Sequence, residues 1–280
     1  MDVTDYSSGQ SVLIAQAQSK AQGERAIALE ARLKNCRNVD TLGVKPNFGD
    51  YSPHDIARIR TAPKIYYPST FYADMFAAMG KPTFPSAHTY RFVQDKIKQS
   101  ALFAILGIPA PRHRTFYGKG RLKEILSAFK FPFVGKIPRG SALGRGVYLI
   151  RSRDDLENYL SLTATAYVQE YLPLERDMRI VVIAGRIVCA YWRVNPPGEF
   201  RSNVGQGGEI RFDPVPAAAL DLALLTARKC GWDDVGLDLC YHAGEYYVLE
   251  GNMKYGRHGF EKAGIDYCRM MEEMLANGEI

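Results

Sequence analysis

The chain has 280 residues, of which 46% are hydrophobic, so it is long enough to bury a sizeable core in one to three domains. It contains no run of about eighteen apolar residues, and its first ten residues are polar and acidic, which excludes a membrane-spanning helix and a signal peptide and predicts a cytoplasmic protein. The net charge is +6, and the 5 widely spaced cysteines form no C-x-x-C pair, which argues against a disulfide framework or a zinc site.

The charge is unevenly divided along the chain. Residues 1–90 carry 10 Lys or Arg against 8 Asp or Glu, residues 91–153 carry 14 against 2, and residues 154–280 carry 12 against 20. A cationic middle beside an anionic last third suits a polyanionic ligand that binds with a divalent metal. A solvated basic surface, or a surface for nucleic acid, would give the same counts, although no zinc-finger, RRM or KH signature accompanies them.

The N-terminal third alternates predicted strands and helices. Ser52, Pro53 and Asp55 form an N-cap, a first-turn proline and an acidic third residue, which together predict the start of a helix. The other predicted elements, in chain order, are a strand at Ser11–Gln16, a helix at Ser19–Asn35, a strand at Ile65–Tyr67 and a helix at Ser69–Met79. This order predicts a βα domain over residues 1–90.

The rest of the chain is predicted to be richer in strands. A helix over Asp95–Leu106 ends at Gly107, with Pro109 beyond it. The predicted strands that follow are Phe133–Ile137, Val147–Ile150, Tyr167–Leu172, Ile180–Ala184, Ile187–Val194, Gly236–Cys240 and Tyr247–Asn252. Hairpin pairing of neighbouring strands predicts antiparallel sheets.

A glycine-rich loop between two predicted strands is the first chemical signal. Residues 136–146 read KIPRGSALGRG, which combines glycines, a hydroxyl and two arginines. Backbone N–H groups and cations in such a flap can close over phosphates. It is not a Walker A loop, because a strand follows it instead of a helix, and taken alone it could be a simple hairpin turn.

Three oxygen-bearing side chains lie in later predicted strands. Glu250 and Asn252 are two residues apart, so they share one face of their strand, and Asp238 lies on the strand before it. Each could be a salt-bridged strand residue. Because unpaired buried carboxylates are costly, their convergence downstream of a basic flap indicates a bound cation.

These motifs, in this order, resemble the RimK-type α-L-glutamate ligase branch of the ATP-grasp superfamily. The similarity spans residues 90–267 and rests on ten ordered motifs. They are Asp95-Lys96, Ile108-Pro109-Ala110-Pro111, Phe133-Val134-Gly135-Lys136, the Gly140–Val147 loop, Gln169-Glu170-Tyr171, Asp177-x-Arg179, Phe200-Arg201-Ser202-Asn203, Gly207-Gly208, Asp238 and Glu250-x-Asn252.

The resemblance implies an α/β (α+β) ATP-grasp fold in which ATP lies between two antiparallel-sheet subdomains. It implies a pre-ATP-grasp domain over 1–90, a central subdomain with the flap over 91–165 and a C-terminal subdomain with the metal site over 166–280. The implied cofactors are ATP and Mg²⁺, with Mn²⁺ as an alternative metal.

The resemblance also implies a role for each matched residue. Arg201, Lys136, Arg193 and Arg179 would act in catalysis, although both Arg179 and Arg193 could instead pair with neighbouring acids. Asp238, Glu250 and Asn252 would bind the metal. The implied nucleotide contacts are Lys96, Lys136, Gly140, Ser141, Gly144, Gly146, Gln169, Glu170, Tyr171, Leu172, Asp177, Arg201, Ser202 and Asn203.

The predicted reaction joins a carboxylate to an amine through an acyl phosphate, with release of ADP and phosphate. The predicted amine acceptor is a metabolite or a protein tail. The oligomeric state is left open, with a homo-oligomer as one alternative. The resemblance includes glutamate ligation among the expected reactions. The sequence departs from the family pattern at Gly251, before the metal-site asparagine, and at Met253–Gly256 after it, and residues 1–90 match poorly, so glutamate is not assumed to be the substrate.

Three alternatives belong to other classes of protein. They are an ATP-grasp kinase that phosphorylates a hydroxyl, a non-catalytic nucleotide-binding module, and a nucleic-acid binder. The last of these would use Lys119, Arg121, Lys123 and Lys130.

Overall fold

The computed structural model describes residues 25–140, 146–196 and 208–280. The predicted strand at Ser11–Gln16 lies outside these ranges. The chain forms two compact units, one that ends at Phe84 and one that begins at Pro85. Among the helices in the described ranges, none has the length and apolar character that crossing a bilayer requires.

The first unit contains a parallel four-stranded sheet with the order β2-β1-β3-β4. Its strands are β1 (Ala26–Ala28), β2 (Val39–Thr41), β3 (Ile65–Tyr66) and β4 (Thr83–Phe84). Its helices are α1 (Pro53–Thr61) and α2 (Ser69–Ala78), with 3₁₀ turns at Ala31–Leu33 and Phe48–Asp50. The predicted cap is confirmed, because the Ser52 hydroxyl accepts a hydrogen bond from Asp55 N at 3.1 Å.

The predicted helix at Ser19–Asn35 is wrong in its described part. Ala26–Ala28 is a strand that pairs with both β2 and β3, and the residue that follows it, Leu29, is 1% exposed. Alanine and leucine favour a helix locally, but pairing with two neighbouring strands buries this apolar run on both sides and overrides the local preference.

The second unit contains two mainly antiparallel sheets with helices between the strands. Its helices are α3 (Ala87–Tyr90), α4 (Lys96–Leu106), α5 (Arg121–Ala128), α6 (Arg153–Ser161), α7 (Ala217–Cys230), α8 (His258–Lys262) and α9 (Tyr267–Ala276). One sheet has the order β5-β8-β6-β7, made of β5 (His113–Phe116), β6 (Phe133–Lys136), β7 (Val147–Ile150) and β8 (Ala166–Glu170).

The other sheet of this unit has the order β11-β10-β9-β12-β13. Its strands are β9 (Arg176–Ile183), β10 (Arg186–Val194), β11 (Glu209–Arg211), β12 (Asp234–His242) and β13 (Glu245–Asn252). The seven strands predicted after residue 130 are therefore confirmed, and their observed ends differ from the predicted ends by at most four residues. Because β8 pairs with β5 and β6, the first sheet extends past residue 165.

Each sheet of the second unit buries one face under helices. Phe116, Phe133 and Val168 of the four-stranded sheet pack with residues of α5 and α6 in one apolar core. In the five-stranded sheet, alternate residues of β9 and β12 pack with α4 and α7 in a second core. Because side chains alternate along a strand, the residues between these core positions occupy the opposite face of each sheet. Those opposite faces carry the candidate site.

Candidate active site

Lys96 and Lys136 are brought together by contacts at the ends of α4 and β6. Asp95 caps α4, since its side chain accepts a hydrogen bond from Lys98 N at 3.0 Å, and it also pairs with Arg139 Nε at 3.0 Å. Lys96 N donates to the carbonyl of Pro138 at 3.0 Å. The N-terminus of α4 is therefore attached to the chain just beyond β6, which ends in Lys136.

Tyr159 fixes the strand that carries Lys136. Its hydroxyl donates to the carbonyl of Lys136 at 2.7 Å and accepts from Tyr167 N at 3.0 Å. A Cβ at Gly135 would lie 2.9 Å from the Tyr159 ring, so this position requires glycine. The tyrosine under Gly135 holds the end of β6 in place, with Lys136 on the opposite face.

The electrostatics of Lys136 are unusual for a lysine. Burial lowers its pKa from the ordinary 10.5, and the nearby charge of Lys96 lowers it further, while Glu250 opposes both effects. Lys96 Nζ lies 3.6 Å from Glu250 Oε2. Two lysines beside one carboxylate leave an excess of positive charge, which suits the phosphates of a nucleotide.

A β-bulge places Glu250 on the site face of the five-stranded sheet. Asp238 is paired with Glu250, but the next residue of β12, Leu239, is paired with Val248, so β13 carries one extra residue. Val248 is 0% exposed within the apolar core. Without the bulge Glu250 would share the core face with Val248, and with it Glu250 lies beside Asp238.

Gln99 of α4 holds the segment between the two predicted metal ligands of β13. Its side-chain oxygen accepts a hydrogen bond from Gly251 N at 2.9 Å, and its Nε2 donates to the Gly251 carbonyl at 2.7 Å. A Cβ at Gly251 would lie 2.5 Å from the Trp232 ring, so the indole fills the space that any other residue would need. The departure from the family pattern at Gly251 thus has a packing cause.

Four charged side chains form a buried network on the same sheet. Arg193 Nε and Nη2 donate to the two carboxylate oxygens of Asp177 at 2.7 and 2.8 Å. Arg193 Nη2 also lies 3.0 Å from Asp238 Oδ2, and Arg179 donates to both Asp238 oxygens through Nε and Nη2. The two arginines lower the pKa of Asp238 against the effect of its burial.

The oxygen donors of the predicted metal site are compatible with magnesium. Among the described residues, no group of three or more His, Cys, Asp and Glu side chains is arranged to hold a metal. The predicted set has two carboxylates and one amide, and Mg²⁺ is typically bound by one or two carboxylates together with substrate phosphates. Asp238 and Glu250 are paired across β12 and β13, and Gly236 pairs with Asn252 on the same face.

The predicted nucleotide contacts are only partly within the described chain. Gln169 is buried on β8, and the Glu170 carboxylate accepts a hydrogen bond from Arg112 N at 2.5 Å, which ties β8 to the edge strand. Gly140 and Gly146 have φ of 67° and 79°, which glycine adopts readily. Tyr171 and Leu172 follow β8 and are half-buried. Ser141, Gly144, Arg201, Ser202 and Asn203 lie outside the described residues.

Sequence reasoning did not find Gln99, Tyr159 or Trp232. Each lies on a helix or near the end of one. Each either hydrogen-bonds to the backbone of a strand that contains glycine or fills the space beside that glycine. A glutamine within an otherwise apolar helix face was the available signal for Gln99. The two aromatic residues look like ordinary core residues in the sequence.

Comparison with known proteins gives similarity over most of the chain. The family model of the RimK-like ATP-grasp domain matches residues 93–275. A probable alpha-L-glutamate ligase of Parasynechococcus marenigrum is 31% identical over 224 residues, which are 75% of this chain and 47% of the relative. The chain thus spans about half the length of that protein. A ribosomal protein bS6–L-glutamate ligase of Salmonella paratyphi B is 28% identical over 225 residues, 76% of this chain and 75% of the relative.

Solved structures share the fold at low identity. D-alanine–D-alanine ligase from Bacillus anthracis complexed with ATP has a TM-score of 0.68 at 14% identity, covering 90% of this chain and 96% of that one. A RimK domain ATP-grasp protein from Sphaerobacter thermophilus has a TM-score of 0.66 at 16% identity, covering 89% of this chain and 98% of that one.

Replacing Gln99 by leucine should destabilise the protein and disturb the site. The change leaves the buried N–H and C=O of Gly251 without their partners, at a cost of about 1–3 kcal/mol for each group. Denaturant unfolding measures this loss. Ile105→Ala on the same helix is the control, because Ile105 is 80% exposed and its removal should change the free energy of unfolding little. Equal stability of the two variants would contradict the role of the Gln99 side chain in holding the backbone of Gly251.

Nucleotide affinity should fall on the alkaline side at a lower pH than an ordinary lysine would give. Burial lowers the pKa of Lys136, so raising the pH removes its charge before exposed lysines titrate, and its attraction for phosphate is lost. Measuring ADP affinity across the alkaline range tests this. Lys136→Arg keeps its charge and should flatten the dependence. A steep alkaline loss that persists in that variant would assign the effect to another group.

Proposed function

We propose that the chain, which belongs to the RimK-like ATP-grasp family, is a ligase that activates a carboxylate as an acyl phosphate and couples it to an amine. The matched region is nearly two thirds of the chain, and the predicted family and fold are confirmed. Transfer of the γ-phosphoryl group to the carboxylate leaves ADP, and attack of the amine on the acyl phosphate releases phosphate, so these are the expected products beside the amide.

The observation that carries the proposal is the ion pair of Lys96 with Glu250, at 3.6 Å, close enough to Lys136 for both charges to change its pKa. The three come from α4, β6 and β13, which belong to different parts of the sequence and both sheets. Asp238 also acts on the pKa of Lys136, so these side chains form one cluster that contains both signs of charge. Such a cluster is suited to a triphosphate that binds together with a divalent cation.

ATP would lie between the sheet that carries Lys136 and the sheet that carries Glu250. Lys96 and Lys136 would contact its phosphates, and the loop over residues 140–146 would close above them. Gln169, Glu170, Tyr171 and Leu172 would hold the adenine. Asp238, Glu250 and Asn252 would hold Mg²⁺ or Mn²⁺, which would neutralise charge on the terminal phosphates.

The protein's own cations would stabilise phosphoryl transfer. As the substrate carboxylate attacks the γ-phosphoryl group, charge builds on the phosphoryl oxygens, and a fixed, buried ammonium such as Lys136 can stabilise it without reorganising. Amine attack on the acyl phosphate then forms an oxyanionic intermediate, for which Arg201 is the proposed stabiliser. Exclusion of water by the loop would protect the acyl phosphate from hydrolysis.

We propose glutamate as one of the two substrates, which supplies either the carboxylate or the amine. The names of the similar ligases support this choice. The acceptor is either a metabolite or a protein tail. One similar protein is named ribosomal protein bS6–L-glutamate ligase, and that name supports a protein acceptor. The different residues around Asn252 favour an acceptor pocket of another shape. A cytoplasmic location and a homo-oligomeric state stay predictions.

Isotope transfer should identify the ligase reaction. With ¹⁸O in the substrate carboxylate, one labelled oxygen should appear in the released phosphate, because that oxygen bridges to phosphorus in the acyl phosphate and leaves with it. The measurement is mass analysis of phosphate after a screen of carboxylate and amine pairs for ADP release. A kinase would keep the phosphoryl group on its acceptor, and an ATPase would take oxygen from water. Amine-dependent ADP formation without label would overturn the proposal.

Glu250→Gln should abolish turnover while much of the nucleotide affinity remains. The change removes the charge that the metal and Lys96 require but alters the side-chain volume little. ADP release and ADP binding are measured in parallel. Glu245→Gln, at the exposed start of the same strand, is the matched control and should behave as the unchanged protein does. Ordinary turnover of the Glu250 variant would exclude Glu250 as a metal ligand.

A further inference from the structure

The edge of the four-stranded sheet where β5 and α5 lie is strongly cationic. Residues 111–131 contain six Lys or Arg side chains and one acidic side chain, Glu124. Glu124 lies in the first turn of α5, where a negative charge is favourable at the positive end of the helix dipole. Arg121 donates to the carbonyls of Leu160 and Thr163, both at 2.7 Å, so it attaches α5 to the end of α6. We call the remaining five, which are all exposed, the cationic edge: Arg112, Arg114, Lys119, Lys123 and Lys130.

The side chains of the cationic edge are not neutralised by carboxylates of the protein. Other exposed arginines of the same unit have carboxylate partners, since Arg153 pairs with Glu157 and Arg269 pairs with Glu273, both at 2.9 Å. Within the described chain, by contrast, none of the five takes part in an ion pair. Unpaired charges of one sign on one surface add their fields, so this edge attracts polyanions.

The five cations lie along one strip, because β5 and α5 are side by side. Arg112 Nη1 donates to the carbonyl of Ala128, the last residue of α5, at 3.0 Å, and its guanidinium carbon lies 4.4 Å from the centroid of the Phe129 ring. Arg114 shares its face of the strand and lies 5.1 Å from the centroid of the Phe116 ring. The strand therefore runs beside the helix in the opposite direction. The three lysines come before, on and after that helix: Lys119, Lys123 and Lys130.

Two exposed aromatic rings lie at the ends of this strip. Tyr117 follows β5 directly and is 75% exposed, and Phe131 follows Lys130 and is 40% exposed. The Phe131 ring stacks on Phe133 with the centroids 5.3 Å apart, which fixes its orientation. The eight residues of α5 between the two rings span about 12 Å. Surfaces that hold single-stranded nucleic acid combine cations, which contact phosphates, with rings, on which bases stack.

Protection of an open sheet edge explains only part of this pattern. β5 pairs with β8 alone, so its other side is open. Charged side chains on such a strand prevent edge-to-edge association, which accounts for Arg112 and Arg114. The lysines around α5 and the two exposed rings lie outside the strand, so they require another explanation.

We propose that the cationic edge, together with Tyr117 and Phe131, binds single-stranded nucleic acid along α5. Phosphates would contact the cations, and bases would stack on the rings. An acidic peptide would use the charges but would leave the rings without a role. Arg114 lies over Phe116 on the sheet face that packs with α5, whereas Lys136 lies on the opposite face, so the strand and ATP would bind at different places. The inference goes beyond the proposed ligase activity and does not depend on it.

Fluorescence anisotropy of labelled oligouridine and oligothymidine tests the proposal on the full chain. Strands of about 16 nucleotides are long enough to cover one such site. The logarithm of the association constant should fall linearly with the logarithm of the salt concentration. Each phosphate contact of a single strand contributes a slope of about −0.7, so five contacts predict a slope of about −3.5. Saturating ADP with Mg²⁺ should leave the affinity unchanged.

Binding of either strand with this salt dependence supports the proposal, and comparison of the two strands distinguishes RNA from DNA. Absence of binding to both strands at low salt overturns it. Loss of binding when ADP is added overturns it as well, because the strand would then occupy the nucleotide site.

Tyr117→Ala separates base stacking from charge. Loss of one stacked base should weaken binding about fivefold or more, with the salt slope unchanged. Tyr241→Ala is the matched control, because Tyr241 is 52% exposed on β12 and lies outside the cationic edge, and it should bind as the unchanged protein does. Equal affinities of the two variants would overturn the stacking role of Tyr117.

Lys123→Gln tests the contribution of charge. The salt slope should become less steep by about 0.7, whereas Lys262→Gln, at an exposed lysine on α8, should leave it unchanged. Equal slopes of these two variants would exclude the cationic edge as the binding surface. Poly-L-glutamate, used as a competitor, should displace the strand only in large excess. If it binds as tightly as the strands and Tyr117→Ala weakens neither, the partner is an acidic protein segment and the proposal is overturned.

Discussion

The candidate site depends on one constraint, the burial of opposite charges beside one another on a single sheet face. A lone buried ion would be costly, and a buried pair is stable only when its geometry satisfies the remaining donors and acceptors. Asp177, Arg193, Asp238 and Arg179 meet this condition through adjacent strands, with every carboxylate oxygen accepting at least one hydrogen bond. Lys136 is less well compensated, and its lowered pKa records the cost of its burial.

One face of the five-stranded sheet packs against helices, so the charged side chains lie on its opposite face. Core residues of β9, β12 and β13 alternate with the charged ones and pack against α4 and α7. At two places, local features change or hold this alternation of side chains. The bulge at Glu250 moves a carboxylate out of the core register, and Gln99 and Trp232 hold the backbone of Gly251 beside it. The site is thus supported by residues that touch no substrate.

The same network gives Asp238 two tasks. It anchors both arginines, and it is a proposed metal ligand, since each carboxylate oxygen has more than one lone pair to offer. Sharing one carboxylate couples the proposed metal site to the buried arginines.

The sequence by itself determined the fold family, because its motifs occur in an ordered pattern and the family model matches residues 93–275. The roles of the two lysines and the three oxygen ligands stay predictions. The sequence could not decide whether Arg179 and Arg193 were paired, since Asp177 and Asp238 each lie on a different strand from the arginine that they hold. Nor could it place β1, whose helix-forming residues become a strand only through pairing with β2 and β3. Spacing along the chain specifies which residues share a face, whereas contacts between strands depend on register, and register is set by packing of the whole sheet.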